Sequence, residues 1–366
     1  MRKFITIICT AAAIASAVGC AKLGMAEDVS IASRSAEEQG LIPVTVGVTL
    51  PSAAVETKAL EAYVDVQDYE EKIGSIQYLV FDKNSDLYLY QKVTSAEDIQ
   101  FYARQGDSYT VWAVANLDQD LSTVSLADLQ QLHVSMTGNE KTDGFVLYGS
   151  TSSSFYTSSG NGKEQTLKIY LSRLMSRVAL AYVKNDMPAA LGDFVLEGVF
   201  LADVPGETYF DEALSAKTIY SDTFTNWYNW HGRNEYNKTD QIIDGVTYKA
   251  QMPDLTYKAL SGTVANGETY EPSTPDLLYT FSNSTTGLSS YTTHDITVVL
   301  MARINGQLQY YPMNIQKVSR NTTVTLGVTI TGYGSDDPMK TGLTVQATST
   351  VTVSGWKKGS TYERTL

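Results

Sequence analysis

The chain has 366 residues, 43% of them hydrophobic and 18% charged, enough for two domains that each bury a core. Its 27 basic and 40 acidic residues leave a net charge of −13, a field that repels phosphate backbones and excludes nucleic acid as a partner. Tyrosine outnumbers phenylalanine 24 to 10, and with abundant Thr, Ser and Val this favours half-buried pleated sheets over helices.

Met1-Arg2-Lys3 is a short positive segment, and Phe4 to Val18 is an apolar run of small residues. That is the length of a secretory signal core and too short for a membrane span. The run ends in Ala17-Val18-Gly19-Cys20, which resembles the lipobox of bacterial lipoproteins, where the cysteine is lipidated and becomes the first mature residue. Ala17 stands where a large aliphatic residue is usual. The alternative is an ordinary secretory signal with a coincidental cysteine, and either address takes the chain out of the cytoplasm. Cys9 falls in the part expected to be removed, so no disulfide framework is expected. No later stretch reaches the roughly 18 uncharged apolar residues of a spanning helix, so lipid on Cys20 is the expected membrane attachment.

Ala21 to Gly40 is small and polar and reads as a tether. Leu41 to Leu50 then alternates, with Val44, Val46, Val48 and Leu50 on one face and Thr45, Gly47 and Thr49 on the other. This is a period-2 strand with one buried side. Pro51 stops it, and Ser52 to Ala62 is a link that contains Thr57-Lys58-Ala59. Ser75 to Phe81, the polar turn Asp82 to Asp86, and Leu87 to Val93 form a hairpin by turn chemistry. Tyr109 to Ala115 is almost continuously apolar, as in a strand covered on both faces. Ser125 to Leu132 is a short helix with Ser125 and Asp128 at capping spacing. Gly144 to Tyr148 and Leu167 to Leu171 are strands, with Gly149 to Gly162 as a surface loop between them.

A second block begins at Arg173 to Tyr182 and continues through Asp193 to Ala202, Leu277 to Phe281, Asp295 to Ile304 and Gln307 to Pro312. Thr322 to Thr331 alternates, with Val324, Leu326, Val328 and Ile330 on one face. After the break at Gly332 to Pro338 comes a final pair, Leu343 to Ala347 and Thr350 to Trp356. Short strands with turn signals at this spacing predict an all-β protein of two sandwiches in tandem, residues 59–172 and 173–366. No internal repeat stands out.

A catalytic set is missing from the sequence. His133, His231 and His294 stand in unrelated contexts without metal-ligand spacing, and no GxSxG, phosphate loop or GxGxxG follows a strand. Asn116-Leu117-Asp118-Gln119-Asp120 has carboxylates two apart but lacks the glycine and distant Glu of a calcium loop, so a plain turn is favoured. Trp227-Tyr228-Asn229-Trp230-His231 is a candidate binding loop, its aromatics free to stack on a sugar or a protein or to fold back over an open sheet end. No cofactor, metal or enzymatic activity is expected.

The lipoprotein signal, the strand Pro43 to Leu50, the basic link Thr57-Lys58-Ala59 and Ile76-Gln77-Tyr78-Leu79-Val80-Phe81-Asp82 together resemble the FimA- and Mfa-like fimbrillins of Bacteroidales, the subunits of type V pili. Tyr109 to Asn116 is similar to the characteristic strand of their first domain, and Leu171 to Ala179 to the start of their second. Gly334 to Pro338 through Val351 to Trp356 is similar to their C-terminal strands. The resemblance spans most of the chain through the order of motifs that are individually loose. It implies two transthyretin-like Greek-key β-sandwiches, a surface fimbrium and an outer-membrane lipoprotein precursor. It also implies assembly by protease-triggered strand exchange with other copies and other fimbrial subunits.

In that scheme a trypsin-like protease cuts in the propeptide, residues 21–58. The first strand, with Val44, Val46, Val48 and Leu50, then leaves its groove. A neighbour's C-terminal strands, residues 339–366, refill it through Leu343, Val345, Ala347, Val351 and Val353. Lys58, followed by Ala59, is the expected cleavage site, because a cut at Arg34 leaves the strand attached. Lysine stands where the family usually has arginine. A removable first strand together with a C-terminal pair fits a stalk subunit; a tip adhesin or a glycan-binding outer-membrane lipoprotein using Trp227, Tyr228 and Trp230 is the alternative.

Overall fold

The computed structural model describes residues 41–50, 67–136, 139, 144–155, 164–192, 194–219, 227–228, 241–243, 246–248, 255–273, 276–283, 295–315, 318–338, 347–355 and 364–365. The first half contains β1 (Leu41–Thr49), α1 (Asp68–Glu71), β2 (Ile76–Phe81), β3 (Leu87–Val93), β4 (Ile99–Arg104) and β5 (Ser108–Ala115). It continues with α2 (Leu126–Gln131), β6 (His133–Ser135), β7 (Leu147–Ser154), β8 (Gln165–Tyr170) and β9 (Ser172–Arg173). A five-stranded sheet, β3-β2-β5-β7-β9, faces a three-stranded sheet, β4-β1-β8.

The five-stranded sheet is a middle layer, which explains its apolar strands. Tyr78 and Val80 of β2, with Val111 and Ala113 of β5, pack toward the three-stranded sheet. Leu79, Phe81, Trp112 and Val114 point the other way, into a larger core shared with the second half. Asp82 closes the β2–β3 turn by accepting from the backbone N–H groups of Asn84 (2.8 Å) and Asp86 (3.1 Å), while Ser85 takes a left-handed φ of 68°. Ser125 caps α2 as expected, its Oγ accepting from the Asp128 N–H at 3.1 Å. The loop expected from Gly149 is instead strand as far as Ser154, and the strand starts at Leu147 rather than Gly144. Its exposed face carries hydroxyls where a buried strand would carry aliphatics: Ser108 Oγ lies 2.7 Å from Ser154 Oγ and Thr110 Oγ1 3.0 Å from Ser152 Oγ.

The second half contains β10 (Met175–Asn185), β11 (Phe194–Ala202), β12 (Val204–Pro205), β13 (Glu207–Tyr209), α3 (Glu212–Ile219), β14 (Trp227–Tyr228), β15 (Gln241–Ile243) and β16 (Val246–Tyr248). After these come β17 (Tyr257–Val264), β18 (Thr269–Tyr270), β19 (Asp276–Phe281), β20 (Ile296–Ile304), β21 (Gln307–Ile315), β22 (Thr322–Ile330), β23 (Ala347–Gly355) and β24 (Arg364–Thr365). One sheet runs β18-β10-β22-β23-β24, with β19 also on β10, and a second runs β17-β11-β20-β21. Of the expected final pair, Ala347 and Thr350 to Gly355 lie on one strand, β23, beside the short β24; Leu343 to Gln346 and Trp356 lie outside the described residues. The expected division after residue 172 falls inside β9, whose Arg173 still pairs with Leu147 of the first half.

Polar groups are buried where the halves meet. Glu70 of α1, wholly buried, receives Arg177 Nη1 at 2.8 Å and the Tyr279 hydroxyl at 2.6 Å. Tyr69 and Tyr279 share a hydroxyl contact at 2.7 Å, and Arg173 Nε donates to the Glu70 carbonyl at 3.0 Å. Burial pushes the Tyr279 hydroxyl far above its ordinary range, so it stays a donor to Glu70.

Burial, with Asp98 nearby, raises Tyr78 to about 12. Folded values above the unfolded 10 mean that this stability is complete below roughly pH 10 and is lost as pH rises through the folded value. The urea midpoint is therefore expected to stay level from neutrality to about pH 9.5 and to fall between about pH 10 and 12. A midpoint still level at pH 12 would show that Tyr78 ionises in place.

Candidate functional site

The site is β1 and its seat. β1 lies in the middle of its sheet, antiparallel to β4 from Leu41↔Arg104 to Val46↔Ile99 and parallel to β8 from Val44↔Gln165 to Thr49↔Tyr170. Residues 51–66 separate it from α1 in the sequence. Both of its backbone edges are hydrogen-bonded, so without it β4 and β8 would each present an unpaired edge.

Alternation decides what β1 buries. Ile42, Val44 and Val46 are wholly buried, against a cluster that includes Tyr78, Phe101, Tyr109, Phe155 and Ile169. Val48 and Leu50 are half-buried against the same cluster. At about 1.5–3 kcal/mol for a fully buried aliphatic side chain, the three buried residues account for most of the strand's apolar hold. On the outer face Thr45 Oγ1 donates to Glu164 and accepts from Gln100 Nε2 at 3.3 Å. The Thr49 carbonyl accepts from the Leu171 N–H at 3.0 Å.

The four strand residues expected from the pattern are thus together on the inner face. Ile42 belongs with them; it continues their parity beyond Pro43. The seat itself went unread: β4 was not expected, although Ile99, Phe101 and Ala103 point inward and Gln100, Tyr102 and Arg104 outward, an alternation plain in Ile-Gln-Phe-Tyr-Ala-Arg. Also unforeseen were β17 and α3.

Cys20, Lys58, Ala59, Leu343, Val345 and Trp230 lie outside the described residues. Ala347 and Val351 are half-buried against the large core, and Val353 pairs with Val324. β23 is paired along its whole length with β22, from Ile330↔Ala347 to Thr322↔Gly355, whereas β24 reaches it only at Thr350 and Val351. Tyr228 is buried in the large core with its backbone opposite Val204, so it offers no ring to a ligand; Trp227 pairs with Pro205. His133 is exposed, its ring 5.6 Å from that of Tyr209, and His231 and His294 lie outside the described residues. The carboxylate-rich turn is held internally: Asp120 accepts from Ser122 N–H (3.0 Å) and Tyr90 (3.1 Å), and Asn116 bridges Gly74, Lys72 and Phe145. Among the described residues no group of three or more His, Cys, Asp or Glu could hold a metal ion.

Neither protein-family models nor curated proteins match the sequence. Solved structures do match its fold. The fimbrillin FimA of Porphyromonas gingivalis W83 superposes with a TM-score of 0.58 at 12% identity, over 87% of this chain and 98% of that one. The fold is that of the fimbrillins. A proposed cell adhesion protein of Bacteroides eggerthii shares the fimbrillin fold at TM-score 0.58 and 16% identity, over 86% of this chain and 96% of that one. Another, from Parabacteroides distasonis, gives 0.57 and 14%, over 87% and 100%.

Proposed function

We propose that this chain is a structural, non-enzymatic stalk subunit of a surface fimbrium, exported as a lipoprotein precursor anchored through Cys20 and polymerised by strand exchange. The observation that carries the reading is the position of β1: a central strand, paired on both edges, that precedes in the sequence a link containing the basic residue Lys58. A strand so placed keeps the seat filled in the precursor, and its removal opens an apolar groove with two bonding edges. A second copy can refill that groove by β-addition, and a head-to-tail contact of this kind propagates a filament. The C-terminal stretch 339–366, whose β23 pairs with β22 and meets β24 only at Thr350 and Val351, suits the role of donor. The fimbrillin fold supports the same reading. The two sandwiches then correspond to residues 59–172 and 173–366.

The test uses precursor lacking residues 1–20. Limiting trypsin should produce a new N-terminus at Ala59, ladders on unheated gels and filaments in electron micrographs. Lys58→Gln should block all three while leaving the circular dichroism spectrum unchanged. A clean cut at Lys58 that yields a stable monomer would remove the stalk reading. Deleting residues 339–366 should stop polymerisation after cleavage; unimpaired assembly would indicate a tip subunit.

A further inference from the structure

A strand recognised only by alternation has an ambiguous register. A slip of one residue turns every valine outward, but a slip of two returns the same faces. Val44-Thr45-Val46-Gly47-Val48-Thr49-Leu50 would accept such a slip nearly everywhere except at its glycine. Gly47 lies buried beneath the side chain of the exposed Asp98: a Cβ there would stand 2.6 Å from Asp98 Oδ1 and 3.1 Å from its Cγ, so the carboxylate would have to turn aside. Asp98 immediately precedes β4, and Lys168 is the register partner of Gly47 on β8.

The second half repeats the device. Val324-Thr325-Leu326-Gly327-Val328-Thr329-Ile330 of β22 has the same pattern, residue by residue. β22 also lies between a parallel neighbour, β10, and an antiparallel one, β23, as β1 lies between β8 and β4. Here the ring of Tyr182 covers the glycine, so that a Cβ would collide with it. A register shift between Leu180 and Tyr182 sets Tyr182 opposite Gly327. Two seats in one chain thus hold the same glycine-interrupted strand under a neighbour's side chain.

We infer that Gly47 and Asp98 pin the register of the strand in this seat, so that an incoming strand is selected by a glycine at one outward position as well as by its apolar face. The inference rests on the strand-exchange reading above. It names the occupant: the segment 339–348 of a second copy, in which Gly342 takes the place beneath Asp98. Between residues 339 and 366 only Gly342 is a glycine at the parity opposite to Leu343, Val345 and Ala347; Gly355 and Gly359 share their parity. In β23 the corresponding positions are Thr348, Thr350, Thr352 and Ser354, each with a side chain to set against Asp98.

Fluorescent peptides of residues 41–50 and 339–348 test this on chain lacking residues 1–20, cut with trypsin and freed of residues 21–58. Gly47→Val and Gly342→Val are expected to weaken binding about threefold, the cost of turning the Asp98 carboxylate aside to admit the added side chain. The difference should largely vanish on Asp98→Ala protein. If both 41–50 peptides bind alike, the pin is wrong while exchange stands; if no glycine peptide binds, exchange itself fails and the inference with it. Selective binding of 41–50 but not 339–348 would overturn Gly342 as the occupant's residue. In the intact chain, Gly47→Val should lower the melting temperature and added Asp98→Ala should recover most of it. An unchanged melting temperature in Gly47→Val would likewise overturn the pin.

Discussion

Replacing Arg177 by alanine is expected to lower the stability of the chain by about 3–5 kcal/mol, the usual consequence of stripping one partner from a buried ion pair. Arg177 and Glu70 side chains are 3% and 0% exposed and 2.8 Å apart. The Glu70 carboxylate is committed on both oxygens, to Arg177 and the Gln67 N–H through Oε2 (both 2.8 Å) and to Tyr279 through Oε1. Arg177 is committed as well, with Nε donating to Thr323 Oγ1 at 2.7 Å. Alanine leaves a carboxylate in the protein interior without this cation. The double variant Glu70→Met with Arg177→Met should recover much of the loss, because two well-packed apolar side chains need no mutual compensation. Urea denaturation followed by circular dichroism measures both. A loss below about 1 kcal/mol for Arg177→Ala would show that solvent or Arg173 takes over the charge. The network has a functional consequence under the strand-exchange reading. It ties residues 67–72, the first described residues after the link with Lys58, to the second half, so strand release would stop short of β2.

Val46→Asp is expected to make the precursor assemble without protease. Val46 is wholly buried between Ile99 and Leu167 in register. The substitution removes about 1.5–3 kcal/mol of apolar burial and sets a carboxylate against the cluster of Tyr78, Phe101 and Ile169, which adds a desolvation penalty of several kcal/mol. β1 then loses its hold while β4, β8 and the middle sheet keep their sequences, leaving an open seat. Ladders on unheated gels from uncut Val46→Asp precursor, absent from the wild type, are the expected result. Thr49→Asp, at an outward position whose register partner on β8 is Tyr170, serves as the control and should leave the precursor monomeric. A monomeric Val46→Asp protein with β1 displaced would mean that an empty seat does not drive assembly.

β1 could be read from the sequence because everything that defines it is local. Val44, Val46 and Val48 recur at period 2, and Pro51 ends the run. The same holds for β2 and β3, which are joined by the Asp82 turn, and for the Ser125 cap of α2. β7 was misread past Gly149 for an equally local reason: a strand whose outer face is Ser and Thr and whose neighbour supplies more hydroxyls has no apolar alternation to detect. Ile42 extends the face of Val44 and Val46 across Pro43, because a proline whose side chain points outward does not disturb the inward parity.

The sequence alone determined the strand-rich class, the alternating face of β1 and the polar character of the turns, since these follow from period, propensity and turn chemistry within a few residues. Only the tertiary structure decided that β1 is a central strand, that β4 and β8 are its two neighbours, that Asp98 lies over Gly47 and that Glu70 meets Arg177. Each of these brings together residues far apart in the chain. Backbone pairing carries no sequence code for its partner, and a buried charge finds its counter-ion through the closure of the whole fold. The likeness of β1 to β22 lay in the sequence throughout, but became visible as a repeat only once both strands were seen between a parallel and an antiparallel neighbour, each with its glycine under a side chain.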